Sequence, residues 1–351
     1  MDDAPIPPAA RVTLHALAQE LGLSTATVSL ALRESPVVAD ATKARVIEAA
    51  RERGYVANRS AASLRTARTN IIGVGLHDIL NPAYAEFLAS VEETALSAGK
   101  SMLLGVSNEN VERQARVLNT LAEYRPDALL FSPAANTRVE DLKWLSLTGI
   151  AIVQVIREVE GAPFDFAGCD DAAGTHLATR HLLELGHRRI GMISGVAGTS
   201  TNMRRTAGYH RAMREAGLTV DPALQISGQG RRDLGRQAMA HLLALDEPPT
   251  AAISFNDVTA FGVMMELISR GVRLGEDFSL VGFDNVEESG VWSPPLTTID
   301  ARIAEYGSVA ARLALSRIAD PSRPVERVEL SPRLVVRATT GAPRPVKRQC
   351  P

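Results

Sequence analysis

Cysteine is nearly absent: Cys169 and Cys350 are the only two in 351 residues. So few exclude a disulfide framework and a four-ligand zinc site, and they fit a reducing cytoplasm. No apolar run reaches the length of a membrane span, so no membrane partner is expected. The opening MDDAPIPPAA carries acids where a secretory leader carries basic residues, and it lacks a leader's apolar stretch; export is not expected. Strong charge is missing too. With a net charge of −2 and a pI near 6.4, any surface for nucleic acid must be local. Internal repeats, low-complexity stretches and coiled-coil heptads are absent, while 45% hydrophobic content over this length leaves room for two or three folding units.

Catalytic patterns are lacking as well. The GVG of Gly73 to Gly75 lacks the third glycine and the helix timing of a dinucleotide fingerprint. There is no Walker loop, Ser194 has no nucleophile-elbow frame, and His176, His181 and His187 do not make an HExxH. The chain is therefore not expected to be an enzyme, and no cofactor or metal is expected.

What is present begins with Thr13 to Leu32, TLHALAQELGLSTATVSLAL. Leu14, Leu17, Ala18 and Leu21 form one stripe of a short helix that Thr13 can cap. Gly22 permits the positive φ that ends it, and Ser24 suits the N-cap of a second helix. Val28, Ala31 and Leu32 face the first helix, which turns Thr25, Ala26, Ser29 and Leu30 outward. That small, nearly uncharged face suits close entry to a major groove, with Leu30 against a thymine methyl; an ordinary helical hairpin is the alternative. Asp40 is expected to cap a third helix with Val46, Ile47 and Ala50 inward. Lys43, Arg45, Arg51, Arg53, Arg59, Arg65 and Arg68 outnumber Glu48 and Glu52, a local basic bias suited to phosphates or to a solvated helix.

The stretch Asn58 to Thr69 has Leu64 as its one large apolar side chain, too little to hold a short helix in water. Paired with its two-fold mate on DNA it could order, with Leu64 as a minor-groove wedge. From Ile71 onward short apolar runs alternate with amphipathic helices such as Tyr84 to Ala98. Candidate strands are Ile71 to Leu76, Met102 to Val106, Ala128 to Ser132, Ile150 to Val155, Ile190 to Ser194, Ala251 to Phe255 and Leu280 to Phe283. The alternation implies two units of parallel sheet with covering helices, divided near Asp170 to Gly174. Asn256 with Asp257, and Asp284 with Asn285, follow apolar strands and so stand at carboxyl ends, where such sheets bind ligands. Asp257 is equally readable as a helix N-cap. Tyr84 is either a pocket edge or core, and Arg205, Arg231 and Arg232 are either ligand forks or surface cations.

The helix-turn-helix stretch, GYVANRSAASL, IIGVGLHDILNPAYAE, ELGHRRIGMISG, RTAGYHRAM, FNDVTAFG, SLVGFDN and SPPLTTI occur together and in order. In this the chain resembles the lactose-repressor (LacI/GalR) family of bacterial transcription regulators from about Thr13 to Thr340. The resemblance implies an N-terminal all-α helix-turn-helix domain (11–57), a hinge helix (58–69) and an α/β core (70–340). The implied core is two doubly wound parallel-sheet subdomains like a type I periplasmic binding protein, one of about 70–169 with 298–320, the other of 170–297 with 333–340, between tails 1–10 and 341–351. It implies operator contacts from Thr25, Ala26, Ser29 and Leu30, with Asn58, Arg59 and Leu64 in the hinge. Effector contacts are implied for Arg205, Asn256 and Asp284, with Arg157 kept from the family pattern; Tyr84 and Asp257 are effector candidates from their positions alone. Ala57 stands where many members have proline, Ile156 replaces a common aspartate, and no aromatic lies near Gly230. The first departure implies a less stiff linker; the other two, with the arginines, suggest a ligand bearing a carboxylate or phosphate, such as a sugar acid.

The implied function is a homodimeric repressor whose grip on double-stranded operator DNA is controlled by a small-molecule effector. The alternative is a cytoplasmic small-molecule-binding protein whose N-terminal domain serves another role. The tail GAPRPVKRQCP carries no heptad for a tetramer.

Overall fold

The computed structural model describes residues 12–56 and 68–344. The chain divides between Thr69 and Asn70 into two compact units. The first contains α1 (Leu14–Leu21), α2 (Thr25–Ala31) and α3 (Asp40–Glu52). The Thr13 hydroxyl accepts the Ala16 N–H at 3.1 Å, and Ser24 accepts the Thr27 N–H at 3.0 Å, so both helix starts are satisfied by side chains. Between them Gly22 takes φ 64°, a backbone position that costs glycine nothing. Leu17, Val28 and Val46 are fully buried at the centre, with Leu23 and Tyr55 packed against their cluster. One expectation is corrected. Ala39, not Asp40, is the N-cap of α3; Asp40 is already helical, and its carboxylate meets Lys43 at 3.0 Å instead. The expected hinge contacts Asn58, Arg59 and Leu64 lie outside the described residues.

The second unit runs β1 (Ile71–Leu76), α4 (Pro82–Ser97), β2 (Ser101–Val106), α5 (Val111–Glu123), β3 (Ala128–Phe131), α6 (Val139–Leu142), β4 (Ala151–Val155) and β5 (Asp165–Cys169). It continues α7 (Asp171–Glu184), β6 (Ile190–Ser194), α8 (Ser200–Glu215), β7 (Gln225–Ser227), α9 (Arg232–Leu243), β8 (Ala251–Ser254), α10 (Asp257–Ser269), β9 (Ser279–Asp284) and α11 (Glu287–Val291). The chain then returns through β10 (Thr297–Asp300), α12 (Ile303–Ala319), β11 (Arg327–Leu330) and β12 (Arg333–Val335). Two six-stranded sheets result, ordered β2-β1-β3-β4-β5-β11 and β7-β6-β8-β9-β10-β12. Every pairing is parallel except β10 with β12. Helices cover the central strands, which is why β3, β4, β6, β8 and β9 are buried along their whole length. Both sheets reverse order beside their first strand, and ligands bind at such switch points.

All seven anticipated strands form, and five more join them. The expected return to the first sheet at Thr298 is corrected, because Thr297 to Asp300 pair with β9 and the crossing follows Asp300. Buried threonine hydroxyls make this strand affordable without large apolar side chains: Thr298 Oγ1 lies 2.5 Å from an Asp257 oxygen, and the Thr297 N–H donates to Thr339 at 2.9 Å. Helix α12 then packs on α4, β3, β4 and β5. β11 extends the first sheet and β12 the second, so a third crossing lies between Leu330 and Arg333.

Candidate functional site

In the first unit, Val28 and Ala31 turn inward, while Thr25 and Ala26 are exposed, Ser29 is half-buried, and Leu30 keeps 39% of its surface. The outward face expected of α2 is therefore present. Some of the basic bias is spent internally: Arg53 forks onto Glu20 of α1 at 2.7 and 3.0 Å, and Arg45 donates to the carbonyl of Leu21.

In the second unit a cavity lies between the two sheets at the carboxyl ends of their strands. Tyr84, Arg157, Arg205, Asn256 and Asp284 all line it. A second lobe shares Asn81, Tyr84, Arg157 and Asn256 with the first and adds His77, Asp78 and Arg231. Local structure explains the placement. Asn81 caps α4 by accepting the Ala83 N–H at 3.0 Å, leaving its Nδ2 to donate 2.8 Å across the cleft to Asp284. Asn256 caps α10, accepting from Thr259 N–H at 2.9 Å, while its Nδ2 donates to the carbonyl of Gly230 at 3.2 Å. The Tyr84 hydroxyl meets His77 Nε2 at 2.7 Å, and His77 Nδ1 meets Ser132 at 2.7 Å. Burial, helped by the Arg157 charge, holds His77 well below its ordinary pKa, so it sits there as a neutral imidazole.

Arg205 is 7% exposed and is no surface cation. Its Nε donates to Asp171 at 2.8 Å, another nitrogen donates to the Phe255 carbonyl, and the guanidinium lies 3.5 Å from the centroid of the Phe283 ring. Asp284 stands 3.8 Å from the same guanidinium. Burial pushes the Asp284 carboxyl up to about 6, against the pull of Arg205 and Asn81. Arg157 forks onto Glu109 at 2.7 and 2.9 Å.

One expectation fails here. Asp257 does not line the cavity: it is the first helical residue after the Asn256 cap, fully buried, and its oxygens bind Thr298 and the Val286 N–H at 2.5 and 3.0 Å. Burial and the neighbouring Asp284 raise its pKa well above the usual range. The arginines behind the expected acidic ligand each meet a carboxylate of the protein: Arg157 with Glu109, Arg205 with Asp171, Arg231 with Asp78 at 3.8 Å, and Arg232 with Glu288 at 3.2 Å. An arginine so paired offers an anion little net attraction.

Comparison with known proteins bears on both units. Residues 13–58 match the family model of bacterial regulatory proteins, lacI family, and residues 179–340 match that of a periplasmic binding protein-like domain. The transcriptional repressor PurR of Haemophilus influenzae is 33% identical over 328 residues, 93% of this chain and 97% of its own. The chain belongs to the lacI family of bacterial regulatory proteins. Among solved structures of that kind, the lac repressor dimer bound to operator and the anti-inducer ONPF is similar with a TM-score of 0.82 at 26% identity, covering 95% of this chain and all of that one. The regulator CelR in its cellobiose complex is similar with a TM-score of 0.70 at 27% identity over 94% of this chain. This lacI-family chain is thus a DNA-binding transcription regulator with a ligand-binding-type core, and its relatives are regulators rather than enzymes. No helix among the described residues is long and apolar enough to cross a membrane.

Several cavity residues of this regulator escaped the sequence reading. Asp171 and Cys169 flank the end of β5, a strand that was not anticipated. Tyr306 enters from α12, and Glu109 finds Arg157 across 48 residues. Asn81 alone had a local signal, as a cap before Pro82.

Proposed function

We propose that this regulator is a homodimeric repressor whose affinity for operator DNA is set by a sugar or sugar derivative held between the two sheets. The observation that carries the reading is the cleft itself. Asn81 from the first half and Asp284 from the second meet at 2.8 Å beside Arg205, so a ligand in the cavity touches both halves at once. A ligand that binds one arrangement of the halves better than another shifts the balance between them, and through the chain leading to α2 it shifts operator affinity. The lac repressor, solved as a dimer on operator with an anti-inducer, and CelR, solved with cellobiose, support the partners and the ligand class. Thr25, Ala26, Ser29 and Leu30 read the major groove, with Asn58, Arg59 and Leu64 contributing from the hinge. Tyr84, Arg157, Arg205, Asn256 and Asp284 hold the effector, and the protein acts in the cytoplasm, where its DNA lies.

Gel-shift titration of the purified protein on its own upstream DNA, with and without a panel of sugars, tests this. The expected result is a specific complex whose midpoint moves with one sugar class. Failure to retain upstream DNA over random DNA would overturn the reading, and a light-scattering mass of one or four chains would overturn the dimer.

A further inference from the structure

Ile156 stands in a conformation that its side chain disfavours. It closes β4 with φ 65°, and the Arg157 N–H bonds back to the Val155 carbonyl at 2.5 Å, a γ-turn with positive φ at its centre. For a β-branched residue this region is an outlier, and the turn is a rare one. Two anchors hold the turn in place: the Ile156 N–H donates to Ala167 of β5 at 3.1 Å, and the Arg157 side chain is forked by Glu109. The isoleucine side chain consequently lines the cavity, where Asn, Asp or Gly would suit the backbone better. Strain of this kind concentrates at ligand clamps. A hydrocarbon side chain at this spot cannot replace the water bonded to a sugar hydroxyl, so a hydroxyl pressed against it is penalised. The cavity's cations are also neutralised by Asp171, Asp284 and Glu109, which removes the electrostatic reason for an acid.

We propose that Ile156 selects the effector: an uncharged deoxy sugar whose methyl or deoxygenated carbon lies against Ile156 while its hydroxyls bond to Asn256, Asp284 and Arg205. This rests on the reading of the cleft as a sugar site and narrows it.

Calorimetry of the full-length protein against matched pairs tests it: L-rhamnose with L-mannose, L-fucose with L-galactose, 6-deoxy-D-glucose with D-glucose, and D-glucuronate as the acid. The 6-deoxy member of the recognised pair should bind about tenfold or more tighter than its parent, the scale on which one buried group discriminates. Ile156→Thr keeps the branched shape but adds a hydroxyl and should narrow that ratio. Ile156→Asn suits the positive φ and should shift preference toward the parent while raising the melting temperature. Parents that bind as tightly as their deoxy partners, glucuronate as the tightest ligand, or variants that leave the ratio unchanged would overturn the proposal while the sugar site stands. Absence of binding by every sugar, in a protein that still shifts its upstream DNA, would remove the sugar reading along with it.

Discussion

Arg205→Met isolates what the guanidinium does for the fold. In the native protein this one group serves Asp171 and the Phe255 carbonyl and stands 3.8 Å from Asp284, with Asp171 2% and Asp284 8% exposed. Methionine fills much of the volume against Phe283 but leaves two buried carboxylates without a cation. Breaking a buried pair from one side costs about 3–5 kcal/mol, which in a protein of this size lowers the melting temperature by roughly 6–15 °C. The loss must depend on pH. Asp284 already has its folded pKa raised from 3.8 to about 6, so its contribution to stability is fully present below about 3.8 and lost as pH rises through about 6. That gap corresponds to roughly 3 kcal/mol. Asp171 is raised in the same direction by burial, with Arg205 pulling against it. Removing Arg205 raises both further, so the variant should be most impaired at pH 7.5 and recover part of the deficit at pH 5, where the Asp284 carboxyl is neutral. Scanning calorimetry of both proteins at the two pH values measures this. A deficit under about 1 kcal/mol at pH 7.5, or one that grows at pH 5, would refute the reasoning.

Asp257→Asn keeps an acceptor for the Val286 N–H and presents an amide N–H to the Thr298 hydroxyl, which turns from donor to acceptor, and should change stability by less than about 1 kcal/mol, whereas Asp257→Leu strands both groups and should cost about 2–4 kcal/mol in urea unfolding. Gly262→Ala would place a methyl 1.9 Å from the Arg232 carbonyl where α9 and α10 touch, backbone against backbone, and should destabilise by about 3 kcal/mol or more on the same assay. Leu30→Arg should change the sites recovered from random DNA without lowering the melting temperature, since Leu30 is 39% exposed; an unchanged site preference counts against base contact by Leu30.

The architecture was legible wherever burial was hydrophobic. Strands such as Ile71 to Leu76 and Ile190 to Ser194 are covered by helices and must be apolar, so their sequences mark them within a residue. The five unread strands are held by other means. β5 begins at Asp165, fully buried, where an acid ordinarily argues for a loop; Arg317 at 2.7 Å and Arg323 at 2.6 Å neutralise it from residues more than 150 positions away. β7 and β12 have three residues each, and β11 is an edge with alternate residues exposed. The site was half legible for the same reason. Residues at the ends of recognisable strands could be placed by topology, as Asn256 and Asp284 were. Partners that neutralise them come from elsewhere in the chain, so counting arginines gave the cavity a charge that its carboxylates cancel.

That cancellation bears on how a ligand can act. The cleft is already bridged by polar bonds: Asn81 to Asp284, the Glu158 N–H to Ser200 at 3.0 Å, and Arg204 of α8 to both Glu158 and Glu329 on the first half. Arg204 and Arg327 also lie over the Phe166 ring, at 5.7 and 4.7 Å from its centroid, which adds a cation–π contact to these ion pairs. Bonds of this kind join the halves in the arrangement the structure shows. An effector that bound both arrangements of the halves alike would shift nothing, however tightly it bound. On the proposed reading its leverage comes from contacts that exist in one arrangement alone, and the groups placed to make them line the cavity from both halves: Tyr84 and Ile156 on one side, Asn256 and Arg205 on the other. If Ile156 selects the effector as proposed, its side chain decides more than which ligand fits: it also sets how much of that ligand's binding energy depends on both halves being present at once.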